Sequence, residues 1–193
     1  MFIKTKTVVV LTIYRDKIIV AKISLGRPPK IISKFGADWN EDNLITILTA
    51  VKEKLKTDRL RLLLSQEASY VVKTEIDAVW DDDSQRSAVL EKITGQIPEE
   101  LKADDWDYKV IAQHKDKQEI VAFAPVRQLF AAVSLAMKEV GLKVEAIEPE
   151  EIALERDSDP LIGLALKTDL KGKDSQVLNL KLNQETDQVK IDK

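Results

Sequence analysis

Two apolar runs, "VVVLTI" at residues 8–13 and "IIVAKI" at 18–23, flank the charged bend Tyr14-Arg15-Asp16-Lys17. Their length and β-branched content suit strands, and a bend this short makes them antiparallel neighbours. A chain that opens on such a hairpin must cover at least one broad apolar face, which commits the remaining residues to supplying further strands and helices.

It does so in order. A turn at Gly26-Arg27-Pro28-Pro29 leads into a third short strand, "KIISKF". In "NEDNLITILTAVKEKLK", Leu44, Ile47, Leu48, Val51 and Leu55 recur at helical spacing, with Asn40 as the expected N-cap, acids in the first turn and lysines in the last. "RLRLLLS" is a buried strand. A second unit then reads strand, helix, strand, strand, helix. Its strands are "SYVVKTEI", "DWDYKVIAQH" and "QEIVAFA". The first helix lies in "DDDSQRSAVLEKITG", where Asp82 and Gln85 have capping-box spacing and Gly95 marks the stop. The second, "PVRQLFAAVSLAMKEVG", runs from Pro125 to Gly141. "LKVEAIE" returns as a strand, and a helix is expected from Pro149. From Thr168 onward the texture is polar and reads as a tail.

Composition closes off several kinds of chemistry. The chain of 193 residues is 44% hydrophobic and 33% charged, a globular balance, and has no Cys for disulfides, thiolate metal sites or a Cys nucleophile. The formal net charge is -3 with basic residues interleaved among acids, so no nucleic-acid footprint stands out. No apolar run reaches the roughly 18 residues that span a bilayer. The groups Asp81-Asp82-Asp83 and Asp104-Asp105-Asp107 suit helix caps and a strand entrance better than a cation loop. His114 is the only histidine, beside a charged turn and without a partnered nucleophile. Trp39, Trp80 and Trp106 sit beside element boundaries, as core plugs do. No Gly-rich phosphate loop occurs among 6 glycines. The residues assemble no reactive constellation, and the reading is of a chain with no catalytic, cofactor-binding or metal site.

The stretch "GQIPEELKADDWDYKVI", with Ile97-Pro98 after a helix and Asp107-Tyr108 opening a strand, resembles a segment of PilM, the actin-like protein of type IV pilus assembly. The likeness continues through Ala124-Pro125, Gly141-Leu142 and Ala153-Leu154, and "IGLAL" at residues 162–166 resembles the C-terminal signature of that family. FtsA and the cytoplasmic part of GspL are related. The resemblance implies an α/β fold: a reduced actin-like (ribonuclease H-like) lobe at 1–68 and 141–167, an inserted strand-helix-strand-strand subdomain at 69–140, and a flexible C-terminal tail at 168–193. Actin-like ATPases carry Asp-x-Gly in the opening hairpin, whereas this chain has Thr12-Ile13-Tyr14, and Arg156 passes through "DSDP" to "LIGLAL" where a second, nucleotide-binding lobe would follow.

The resemblance therefore implies a pseudo-ATPase: a cytoplasmic, non-catalytic scaffold of type IV pilus or type II secretion assembly. It would lie peripheral to the inner membrane, held by the short cytoplasmic tail of a PilN-like protein, without direct membrane insertion and without nucleic acid. A reduced actin-like ATPase remains an alternative, motivated by Lys22, which in intact relatives would lie near the phosphates. An FtsA-like division adaptor is another, though "NQETDQVKIDK" is poor in the apolar residues of a membrane helix. PilN-type tails begin with a motif resembling Ile-Asn-Leu-Leu-Pro. Leu178-Asn179-Leu180 matches its first three positions, while Lys181 and Leu182 depart from it. With Val177, these residues form a candidate fused docking peptide and a route to self-association. Its period-2 pattern suits addition to a sheet edge or groove.

Overall fold

The computed structural model describes residues 6–78, 81–102, 105–168 and 170. The elements run β1 (Thr7–Ile13), β2 (Lys17–Ser24), β3 (Lys30–Asp38), α1 (Leu44–Leu55), β4 (Arg59–Leu64), β5 (Ser69–Asp77), α2 (Asp82–Ile93), β6 (Asp107–Gln113), β7 (Lys117–Pro125), α3 (Arg127–Val140), β8 (Lys143–Pro149), α4 (Glu150–Ala153) and α5 (Pro160–Ala165). They build a five-stranded sheet ordered β3-β2-β1-β4-β8 and a three-stranded sheet ordered β5-β7-β6. In the larger sheet β1 is antiparallel to β2 and parallel to β4, and β4 is parallel to β8.

The continuous apolar run of β1 has a simple cause: both faces of its sheet are covered. Val9, Leu11 and Ile13 point to the α1–α3 side, where Leu48, Val51, Leu55, Val133 and Met137 meet them. Val8 and Val10 point the other way, against Ala153, Leu161 and Leu164 of the α4–α5 side. The edge strand β3 alternates half-buried and exposed residues. Lys22 pairs with Ser33 and Ile23 with Ile31, so Ile32 is an extra residue without a cross-strand partner and is 48% exposed.

The smaller sheet has its own core under α2, where Val72, Ile76, Val89, Ile93, Trp106 and Ile120 gather. Its opposite face sends Val121 and Phe123 into the main core. α3, placed by the sequence reading in the inserted subdomain at 69–140, packs instead with α1 on the larger sheet through Val133, Ala136 and Met137. The unit with its own core is therefore β5, α2, β6 and β7.

Helix starts also differ in detail from expectation. Asn40 caps the turn that leads into α1, its Oδ1 accepting from the amides of Asp42 and Asn43 and its carbonyl from Leu44 N, while the regular helix opens at Leu44 with no acid in its first turn. Asp81, one residue before the expected Asp82, caps α2 by accepting from Ser84 N at 2.9 Å. Gln85 has no capping role and is buried, receiving the Tyr108 hydroxyl at 2.9 Å. Pro125 ends β7 and does not start α3, whose first amide, Arg127 N, donates to the Glu99 carboxylate at 3.2 Å. Gly141, at φ 72, closes α3 as expected.

The sequence reading assigned no helix to residues 160–165. Asp159 caps one there, accepting from Leu161 N at 2.9 Å, with Pro160 in the first turn. A helix of six residues does not hold itself together in water, so tertiary contacts must. Gly163 supplies the closest of them: a Cβ built there would stand 2.0 Å from the Ala153 carbonyl oxygen. Only a glycine lets α5 lie this close on α4. Gly163→Ala is expected to destabilise the fold by about 3 kcal/mol, the upper part of the overpacking range, because backbone and not a pliable side chain opposes the methyl. Urea unfolding measures it, and a wild-type midpoint would be incompatible with this contact.

Candidate functional site

Ligands of open α/β sheets bind outside the carboxyl ends of the parallel strands. At that end of β1, β4 and β8 lies a cleft of about 230 Å³ lined by Thr12, Tyr14, Ile19, Lys34, Glu150 and Asp159, among others. Its polar groups face one another. Tyr14 Oη donates to Glu150 Oε1 at 3.3 Å. At the bend the Arg15 amide, which is free to bind an anion in many tight turns, donates to Glu67 Oε2 at 3.2 Å. The amide of Leu161 is taken by Asp159. The first turn of α4 carries Glu150 and Glu151, so the helix end that would attract phosphate already holds negative charge. Trp39 underpins the bend, donating from Nε1 to the Tyr14 carbonyl at 3.2 Å.

Beside this cleft a buried ion cluster fixes the two short helices. Glu148, 0% exposed, receives Arg156 through both nitrogens of its fork at 2.8 Å and Lys167 Nζ at 2.6 Å. Arg61, also buried, donates from Nη1 to the carbonyls of Leu164, Ala165 and Lys167, each at 2.8 Å, closing the C-terminal end of α5.

Lys22 is not near the bend. β2 carries it to the opposite end of the sheet, where Nζ donates to the Leu55 carbonyl at 3.4 Å. The acidic groups have structural roles: Asp105 meets Arg127 at 3.2 Å and Asp107 meets Arg86 at 3.6 Å. Helix amides hold the Asp81 carboxyl below its usual range, led by the Ser84 backbone bond. His114 sits exposed against Glu119 at 3.1 Å. Trp106 is buried in the smaller core, with Arg86 stacked 4.1 Å over its ring. Among the described residues no group of His, Cys, Asp or Glu has a metal-holding arrangement, and no helix is long and apolar enough to cross a membrane. Asp104, Trp80 and the docking candidates Val177, Leu178, Asn179 and Leu180 lie outside the described residues. Sequence reasoning missed Glu148, Arg156, Lys167 and Arg61; the one available signal was an arginine and a glutamate inside otherwise apolar strands.

No protein-family model matches the chain, and no curated protein matches it. Solved structures do. The chain is similar to a "PilM-PilN type IV pilus biogenesis complex", with a TM-score of 0.60 at 14% identity over 77% of this chain and 49% of the other. It also matches the cytoplasmic domain of EpsL, an inner membrane component of the type II secretion system of Vibrio cholerae, with a TM-score of 0.47, 11% identity and 77% and 57% coverage. A Bacteroides thetaiotaomicron protein with an actin-like ATPase fold and unknown function gives 0.42, 9%, 80% and 57%. The chain thus spans about half the length of the PilM–PilN match and less than two thirds of the other two. Its fold is the mixed α/β fold shared with the PilM–PilN structure.

The cleft makes a pH-dependent prediction. Burial raises the Glu150 carboxyl above its ordinary range, against the Tyr14 hydrogen bond, and the Glu151 charge adds to the rise. Folded protein then binds the proton more tightly than unfolded chain, so this group's contribution is favourable below the ordinary carboxylate range and is lost as pH rises through the folded value. Glu150→Gln keeps an acceptor for Tyr14 and removes that loss. It is expected to unfold at higher urea than wild type at pH 7, with the gap closing toward about pH 4. A gap constant across this window would mean that Glu150 is not shifted.

Proposed function

We propose that this chain is a non-catalytic scaffold of type IV pilus or type II secretion assembly, working at the cytoplasmic face of the inner membrane by holding the short tail of a PilN-like membrane protein. The observation that carries the reading is the occupied hairpin cleft within a PilM-like fold: Arg15 N is bonded to Glu67 and the Tyr14 hydroxyl to Glu150. An ATP-binding hairpin presents its amides to phosphate. Here a carboxylate holds one, and carboxylates at the mouth repel what would replace it.

The candidate peptide at Val177, Leu178, Asn179 and Leu180 extends the proposal: tethered on the same chain, it competes with the partner's tail at high effective concentration. Two titrations of the full chain test the reading. A fluorescent peptide beginning Ile-Asn-Leu-Leu-Pro should show saturable anisotropy in the micromolar range, and a fluorescent ATP analogue with magnesium should not. Ending the chain after Leu170, which keeps Lys167 on Glu148, should tighten the peptide. Saturable ATP binding overturns the non-catalytic reading, absence of peptide binding overturns the PilN-like partner, and unchanged peptide affinity on truncation overturns the fused competitor.

A further inference from the structure

Strand direction sorts the charges of the larger sheet. β1, β4 and β8 begin at one end, α1 and α3 finish there, and the β2–β3 turn lies there too. That end carries the exposed side chains of Lys6, Arg27, Lys30, Lys56, Arg59 and Lys143. Among the described residues four acids share it: Glu53, Asp58, Glu139 and Glu145, the last within 3.8 Å of Arg59. Cations outnumber them. The opposite end presents Asp16, Asp38, Glu41, Asp42 and Glu67 against Arg15 and Lys17. A chain whose formal net charge is only -3 is thus polarised along its strands.

Two further observations say what the basic end suits. A cleft of about 250 Å³ there is lined by Lys6, Lys22, Lys56 and Arg59 with Asp58 and Glu145. On the adjoining edge the β3 bulge pushes out Ile32, 48% exposed, two residues after Lys30. Cations around a projecting aliphatic side chain match the boundary of an anionic bilayer, where ammonium groups meet phosphates and the aliphatic group enters just below. A nucleic-acid strand would call for exposed aromatic rings to stack on, and the exposed large apolar residues among the described ones are all Ile or Leu.

We propose that this basic end rests on anionic phospholipid headgroups, with Ile32 at the contact and the acidic end turned away. This is contact at the headgroup boundary, not a membrane-spanning insertion, and it goes beyond the scaffold reading by giving the lobe an orientation. Sedimentation of the full chain with vesicles tests it, without any partner peptide, so its failure leaves the partner reading standing.

Binding to phosphatidylglycerol-containing vesicles is expected, with none to phosphatidylcholine alone, and it should weaken steeply as salt rises from about 0.05 to 0.2 M. Lys30→Ala with Lys56→Ala should lower affinity about 25-fold, roughly five-fold for each cation. Arg15→Ala with Lys17→Ala, at the far end, should stay within about twofold. Ile32→Ser should weaken binding at every salt concentration, with circular dichroism confirming each variant's fold. Equal binding to both vesicle types, binding to neither, or equal loss from the Arg15/Lys17 pair would overturn the proposal. So would retention on heparin or polyglutamate without vesicle binding, which would assign this end to an acidic macromolecule.

Discussion

The larger sheet depends on a carboxylate buried where no water reaches it. Glu148, at the end of β8, is tolerable only because Arg156 and Lys167 both bond it. Removing one partner of such a cluster typically costs about 3–5 kcal/mol, comparable to the whole stability of a small domain. Replacing the entire cluster with apolar groups can cost little, so its effect is on arrangement more than on total stability. It ties β8, the turn after α4 and the chain beyond α5 to one point. Arg61 adds a second tie by taking three carbonyls at the end of α5. With α5 seated, Leu161 and Leu164 cover Val8, Val10 and Leu63; without it, those side chains would face water at roughly 25 cal/mol for each Å² uncovered.

The same ties shape the hairpin cleft. Asp159 caps α5 and lines the cleft, and Glu150 opens α4 immediately after β8. Two backbone amides at this end, those of Arg15 and Leu161, are bonded to the carboxylates of Glu67 and Asp159.

Much of the fold was legible because periodicity reports burial. The β1 run, the α1 stripe and the long α3 stripe each named their element correctly. What periodicity does not report is the partner: the apolar side of α3 suits either sheet, and in the fold it shares one core with α1 and the larger sheet. α5 was missed because six residues contain too few turns to show a stripe, and its formation rests on contacts far away in sequence. Lys22 was misplaced by thinking of the hairpin as a unit. Five residues beyond Lys17, at about 3.3 Å each, put it some 16 Å from the bend. The ion cluster left only a faint trace, an arginine and a glutamate inside apolar strands, since its members lie 8 and 19 residues apart.

The glycine contact between α4 and α5 also has a kinetic meaning. Arg61 reaches the Leu164 carbonyl across 103 residues of chain, and Leu161 and Leu164 pack on Val8 and Val10, so the second face of the sheet is covered by contacts distant in sequence. Folding slows as such distant contacts accumulate. Whenever α5 lifts from α4, the face bearing Val8, Val10 and Leu63 loses its cover, and a bare apolar strand face is what a chaperone or a neighbouring chain can grip.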